Sequence, residues 1–182
     1  MPPPVVTDAT TTDAATLLTA AALFLPVEPA PTFTRCTGGV NNVVFYVDRP
    51  GHARLILRIY NNGRNTPRVA YEHAVLRLLS PLRFSFATPR PLPARSDGAT
   101  FAMLPSGVAA CVTECIPGCP AENGHARAIG RATAELVAGM ASLRVPEGVP
   151  AVNPLYRNFW DACVRYSTPA PRGIRPVPPP PH

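Results

Sequence analysis

Residues 43–79 read VVFYVDRPGHARLILRIYNNGRNTPRVAYEHAVLRLL, and this stretch decides the fold. Five of its first six residues are β-branched or aromatic, the composition of a strand. Arg49-Pro50-Gly51-His52 is turn chemistry, and residues 54–60 (RLILRIY) supply a second strand. Two strands joined by so short a turn predict an antiparallel hairpin. Asn61-Asn62-Gly63 closes the second strand. Thr66-Pro67 then opens a helix, with threonine as N-cap and proline in the first turn, and the helix stops before Pro81.

Two charges inside these apolar elements stand out. Strand alternation puts Ile56 and Arg58 on one face and Leu55, Leu57 and Ile59 on the other. On the helix, Val69, Glu72, Leu76 and Leu79 follow a 3-4-3 spacing and share a stripe. A carboxylate buried alone on such a stripe is costly, so Glu72 is expected to meet Arg58 in a charge-assisted, even bidentate, pair. The alternative is that each faces water. His73 follows Glu72 on another helix face and is expected at the surface.

Upstream, residues 33–36 form a short strand candidate, and Gly38-Gly39-Val40-Asn41-Asn42 separates it from the hairpin. Bare amides in such a turn can cover phosphates, although a Gly-Gly hairpin turn needs no ligand. Downstream, residues 90–94 and 100–104 are short extended segments around the turn Ser96-Asp97-Gly98. Residues 108–116 (VAACVTECI) form a further strand. Residues 123–142 form a helix with Ile129, Ala132, Leu136, Met140 and Leu143 on one stripe.

A glycine turn, a strand, a strand with a central cation and a helix with an inward glutamate follow the logic of a kinase small lobe. There a helix glutamate holds the cation that grips the α/β-phosphates. The stretches CTGGVNNVVFYVD, RLILRIYNNG, RVAYEHAVLRLLSPL, VAACVTECIPG and ARAIGRATAELVAGMA resemble the N-terminal half of the aminoglycoside phosphotransferase superfamily, which includes the protein-kinase-like homoserine kinase, choline kinase and hydroxylysine kinase. The resemblance covers residues 32–161. It implies an α+β fold: an antiparallel sheet with one helix packed across it, a hinge strand and a detached first helix of the large lobe. It also implies ATP- or GTP-dependent phosphoryl transfer to a hydroxyl of an amino alcohol, an amino acid such as homoserine, or an aminoglycoside-like substrate. By position, Gly38, Gly39 and Asn42 match the nucleotide loop, Arg58 the phosphate-gripping cation and Glu72 its helix partner. Glu114, Cys115 and Ile116 match the hinge whose backbone would read the adenine edge.

The resemblance also implies a catalytic loop His-Gly-Asp-x-x-x-x-Asn and a later magnesium-binding aspartate. Beyond Glu147 the sequence offers only Asp161 and His182, neither in such a setting. The chain is therefore expected to be a truncated member, inactive alone, with no catalytic residue, vestigial ATP affinity and no protein ligands for magnesium. The rival readings are a nucleotide- or partner-binding regulatory module and a non-functional fragment. Residues 1–31 read as a flexible lead-in with a short helix, 32–117 as the small lobe and hinge, and 118–162 as the start of the large lobe. Residues 163–182 read as a proline-rich disordered tail.

Composition narrows the other classes. The 182 residues include 25 prolines and 12 glycines without a triplet period, which excludes collagen, and 5 cysteines, too few for a disulfide scaffold. All 17 basic residues are arginine, so no lysine is present to serve as a base or Schiff-base former. The net charge of +6 is scattered from Arg35 to Arg175, which argues against nucleic acid as a partner. Residues 14–27 are apolar but too short for a bilayer and lack the flanks of a leader, so no membrane is implied and the cytoplasm, with reduced thiols, is the expected location. Cys111, Cys115 and Cys119 lack a second ligand pair, so a metal site is not expected. The stripe carrying Ile129, Leu136 and Met140 predicts self-association. The run from Arg175 to Pro181 has the pattern of an SH3-type ligand.

Overall fold

The computed structural model describes residues 6–7, 12–36, 42–61, 65–118 and 123–144. Gly38, Gly39, Cys119, the aromatic cluster at 156–160 and the proline-rich tail lie outside them.

The hairpin forms as its sequence predicts. Strands β3 (Asn42–Asp48) and β4 (Leu55–Tyr60) pair antiparallel with Val44 opposite Arg58. Their turn places Gly51 at φ 74°, and the His52 amide donates to the Arg49 carbonyl at 3.1 Å. Pro-Gly at the two central positions is what a type II turn requires. Around this pair the sheet has six strands in the order β1 (Val6–Thr7), β2 (Thr32–Arg35), β3, β4, β6 (Ala109–Glu114), β5 (Ala102–Met103).

Three features depart from the expectation. The edge pair β1–β2 is parallel, whereas every other pair is antiparallel. Residues 90–94 form no strand of their own. Pro91 bridges to Thr113, and the Leu92 amide donates to the Val112 carbonyl at 2.8 Å, so this segment and β5 share the outer edge of β6. Pro91 has no N–H to extend the ladder. The third departure concerns the helix of the lead-in, α1 (Ala14–Ala22), which is a structural half of the core.

Asp13 caps α1, its carboxylate accepting from the Thr16 amide at 2.6 Å. Leu17, Ala20, Ala21, Phe24 and Leu25 recur on one face and are buried against Phe33, Phe45, Val47, Leu55, Leu57, Ile59, Ala110 and Val112. Beyond the helix, the Arg95 amide donates to the Leu23 carbonyl at 2.8 Å. Each face of the sheet thus has its own helix, where one helix was expected.

Helix α2 (Thr66–Leu79) covers the other face through Val69, which packs with Tyr60, Ala109, Cys111 and Phe101. Its N-cap is Asn65 rather than Thr66: the Asn65 side chain accepts from the Arg68 amide at 3.2 Å, one residue earlier than expected. Asn65→Ala is expected to cost about 1 kcal/mol, read as a shift of the denaturant midpoint.

After a single 3-10 turn (Asn123–His125), α3 (Ala126–Ala141) forms the last described helix. It is not detached. The Ser85 amide donates to Glu135 at 2.8 Å, and Phe84, stacked on Phe86, lies so close to Gly139 that a Cβ there would meet its ring at 2.7 Å. On the predicted stripe, Ile129 is 47% exposed, while Leu136 and Met140 are half-buried. Among the described residues no helix is long and apolar enough to cross a membrane.

Candidate nucleotide site

Strand β4 carries the charge that its two apolar faces must accommodate. Leu55, Leu57 and Ile59 enter the core beneath α1, which leaves Ile56, Arg58 and Tyr60 on the face shared with α2. Arg58 and Glu72 meet there: Nη1 of the guanidinium donates to Oε1 of the carboxylate. The contact is one-handed, not the two-handed fork the sequence allowed. The side chains are 29% and 39% exposed, so the predicted alternative, two groups in open water, is not found.

Every hydrogen bond that Arg58 makes among the described residues runs through Nη1, to Glu72 and to the Tyr60 hydroxyl at 3.5 Å. Its Nε and Nη2 make no hydrogen bond among the described residues. Burial works against the Arg58 charge, but the hydrogen-bonded Tyr60 hydroxyl and the Glu72 carboxylate outweigh it and hold the group above its ordinary value. A guanidinium so placed is a permanent cation.

Beneath the pair lies a polar cluster that the sequence reading missed. The Tyr60 hydroxyl is 2.8 Å from His73 Nε2, 3.4 Å from Glu72 Oε1 and 3.6 Å from Cys111 Sγ. His73 Nδ1 lies 2.9 Å from the Thr100 hydroxyl, and its ring packs on Phe101 at 5.2 Å between centroids. His73 is 2% exposed, which overturns its expected surface position. The reason is helical: His73 follows Val69 by four residues, and Val69 is the helix's main apolar contact with the sheet. Burial, with Arg58 and Arg77 beyond it, pushes the His73 pKa down to about 4, so the ring is neutral at pH 7. Burial likewise raises the Tyr60 phenol and the Cys111 thiol, keeping both protonated.

Outside the cover of α2 the same sheet face continues as a half-buried apolar strip of Val44, Tyr46, Ile56 and Cys115. Arg54 brackets it, its guanidinium 4.8 Å from the Tyr46 ring centroid and bound to Asp48 at 2.8 and 3.1 Å. A flat apolar ring could lie on this strip with an attached anion at Arg58.

The remaining site residues fall around it. Asn42 opens β3 opposite Tyr60, and its side-chain oxygen accepts from the Asn61 amide at 3.3 Å, fastening the end of the hairpin. Glu114 ends β6 opposite Leu55, three positions along from Arg58 and its partner Cys111, a span of about 10 Å on the strand rise. Cys115 follows, its amide donating to the Arg54 carbonyl at 3.3 Å, and Ile116 is exposed beyond it. The site is thus a strip of sheet with a cation at one end and a chain crossing at the other. The loop that holds Gly38 and Gly39 is outside the described residues, between the end of β2 and Asn42.

Residues 32–171, more than half of the chain, match the model of a family described as "Phosphotransferase enzyme family". The match runs beyond residue 161, where the resemblance of motifs fades. Among solved structures, the microcompartment-associated aminopropanol kinase superposes with a TM-score of 0.65 at 17% identity, over 78% of this chain and 45% of that one. An amicoumacin kinase in complex with AMP-PNP, Ca2+ and Ami gives a TM-score of 0.62 at 22% identity, over 80% of this chain and 45% of that one. This chain therefore spans less than half the length of either structure, and at these identities the likeness is one of fold. No curated protein matches.

Proposed function

Since the chain belongs to the phosphotransferase enzyme family, we propose that it binds the nucleoside triphosphate of a small-molecule kinase against the Arg58 face of its sheet. The acceptor would be a hydroxyl on an amino alcohol, an amino acid such as homoserine, or an aminoglycoside-like molecule. The observation that carries the reading is the Arg58–Glu72 pair, which joins strand to helix on the face where the apolar strip lies. Glu72 fixes one nitrogen of the guanidinium and the other edge would meet the α- and β-phosphates. The base would lie on Val44 and Ile56, with the backbone at Glu114, Cys115 and Ile116 along its polar edge. Amicoumacin kinase, whose fold is shared, was solved with AMP-PNP, a nucleotide of the chemistry proposed here.

The base that would take the acceptor's proton belongs to a motif the 182 residues do not contain. Among the described residues no group of three His, Cys, Asp or Glu side chains is placed to hold a metal ion. The chain by itself therefore holds nucleotide without turning it over. A titration with AMP-PNP is expected to raise the thermal midpoint in a saturable way, while a coupled assay for ADP release stays at background with every acceptor tried. No midpoint shift up to millimolar nucleotide would remove the binding reading, and steady ADP release would remove the claim of inactivity.

A further inference from the structure

A half-exposed ion pair does not hold its own geometry, because two long side chains near water exchange partners readily. Arg58 and Glu72 are such a pair, 29% and 39% exposed, yet they share a third partner that is buried. Tyr60 lies two residues beyond Arg58 on the same strand face, its ring centroid 5.5 Å from the guanidinium carbon. Its hydroxyl lies 3.5 Å from Arg58 Nη1, 3.4 Å from Glu72 Oε1 and 2.8 Å from His73, the residue after Glu72. His73 in turn reaches Thr100, in the segment leading to β5.

We propose that Tyr60, anchored by His73, is the positioning residue that sets the Arg58–Glu72 pair in the geometry that presents the Nε–Nη2 edge of the guanidinium to phosphate. The proposal deepens the nucleotide reading and rests on it for its binding readout. Either tautomer of His73 closes the cluster: with Nδ1–H donating to Thr100, Tyr60 donates to Nε2, and with Nε2–H donating to Tyr60, the Tyr60 hydroxyl donates to Glu72, while Arg58 Nη1 donates to the Tyr60 oxygen in both. Consecutive helix residues thereby grip consecutive same-face strand residues, Glu72 on Arg58 and His73 on Tyr60. That double contact sets the register of α2 on the sheet. Removing the hydroxyl keeps the ring and takes away its contacts with Arg58, Glu72, His73 and Cys111.

The test compares wild type with Tyr60→Phe, His73→Gln and His73→Leu. Glutamine can place a hydrogen-bonding group where His73 Nε2 stands, and leucine cannot. Affinities for ADP and for adenosine are measured by calorimetry, and the side-chain Nη signals of Arg58 by nitrogen-15 NMR. In wild type the Arg58 Nη signals are expected to be resolved by slowed rotation. In Tyr60→Phe and His73→Leu they should coalesce and the preference for ADP over adenosine should fall about fivefold, the worth of one ordinary hydrogen bond. His73→Gln should stay near wild type. Unchanged Arg58 signals and an unchanged ADP preference in both Tyr60→Phe and His73→Leu would overturn the proposal, as would a wild type whose Arg58 signals are already averaged. Should wild type show no preference for ADP, the nucleotide reading fails, and the Arg58 signals alone decide the positioning role. Should Tyr60→Phe not fold, the glutamine–leucine contrast at position 73 decides it.

Discussion

Leu17→Ala is expected to destabilise the protein by about 3 kcal/mol, read as a lower denaturant midpoint with an unchanged slope. Leu17 is 0% exposed and lies at the centre of the face that α1 presents to β3, β4 and β6. The truncation removes buried methyl groups and leaves a cavity that a strand surface on one side cannot collapse to fill. A nine-residue helix cannot stand alone in water, so α1 depends on this contact for its existence. Thr19, exposed on the opposite side of the same helix, serves as the control: Thr19→Ala should leave the midpoint unmoved. A flexible lead-in would show no difference between the two substitutions.

Acid is expected to remove stability of a similar size through one side chain. The His73 pKa is about 4 in the folded chain against an ordinary 6.5, so between those values the unfolded chain binds more protons. Stability therefore rises with pH across this window: the contribution of neutral His73 is complete above about pH 6.5 and is lost as the pH falls towards 4. Its full size is about 3 kcal/mol, the free-energy equivalent of the shift. Protonation would place a new cation facing Arg58 and Arg77, and would leave both ring nitrogens as donors towards Tyr60 and Thr100. Urea melts from pH 7 to pH 4 should show the fall in wild type, and a slope shallower by that amount in His73→Gln. Parallel slopes in the two proteins would exclude His73 as the source.

The hairpin, α2 and the central ion pair were legible because each is written in local periodicity. Alternation in residues 54–60 separates Arg58 from the core-facing leucines, and the spacing of Val69, Glu72, Leu76 and Leu79 turns the glutamate towards the sheet. What stayed hidden depends on partners distant in sequence. Tyr60 was on the right face by the same alternation, but nothing local says that its hydroxyl meets position 73 or that Cys111 lies beneath it. His73 carried a usable signal, its four-residue distance from Val69, which the choice of a single stripe through Glu72 passed over. The role of α1 could have been found by counting faces. Leu55, Leu57 and Ile59 need a cover, and α2, holding Glu72 towards Arg58, already occupies the other side. The third edge piece, residues 90–92, was unreadable as a bridge because a proline there speaks against a strand.

The central claim is that the Arg58 guanidinium, held from behind by Glu72, receives the phosphates of a nucleotide lying on the sheet. Calorimetric titration of wild type and Arg58→Ala with ADP and with adenosine tests it most directly. Wild type should bind ADP more tightly than adenosine, and Arg58→Ala should lose that advantage by about 10- to 100-fold, the worth of a charge-assisted contact, while adenosine affinity stays the same. Equal ADP preference in the two proteins would place the phosphates elsewhere and contradict the account.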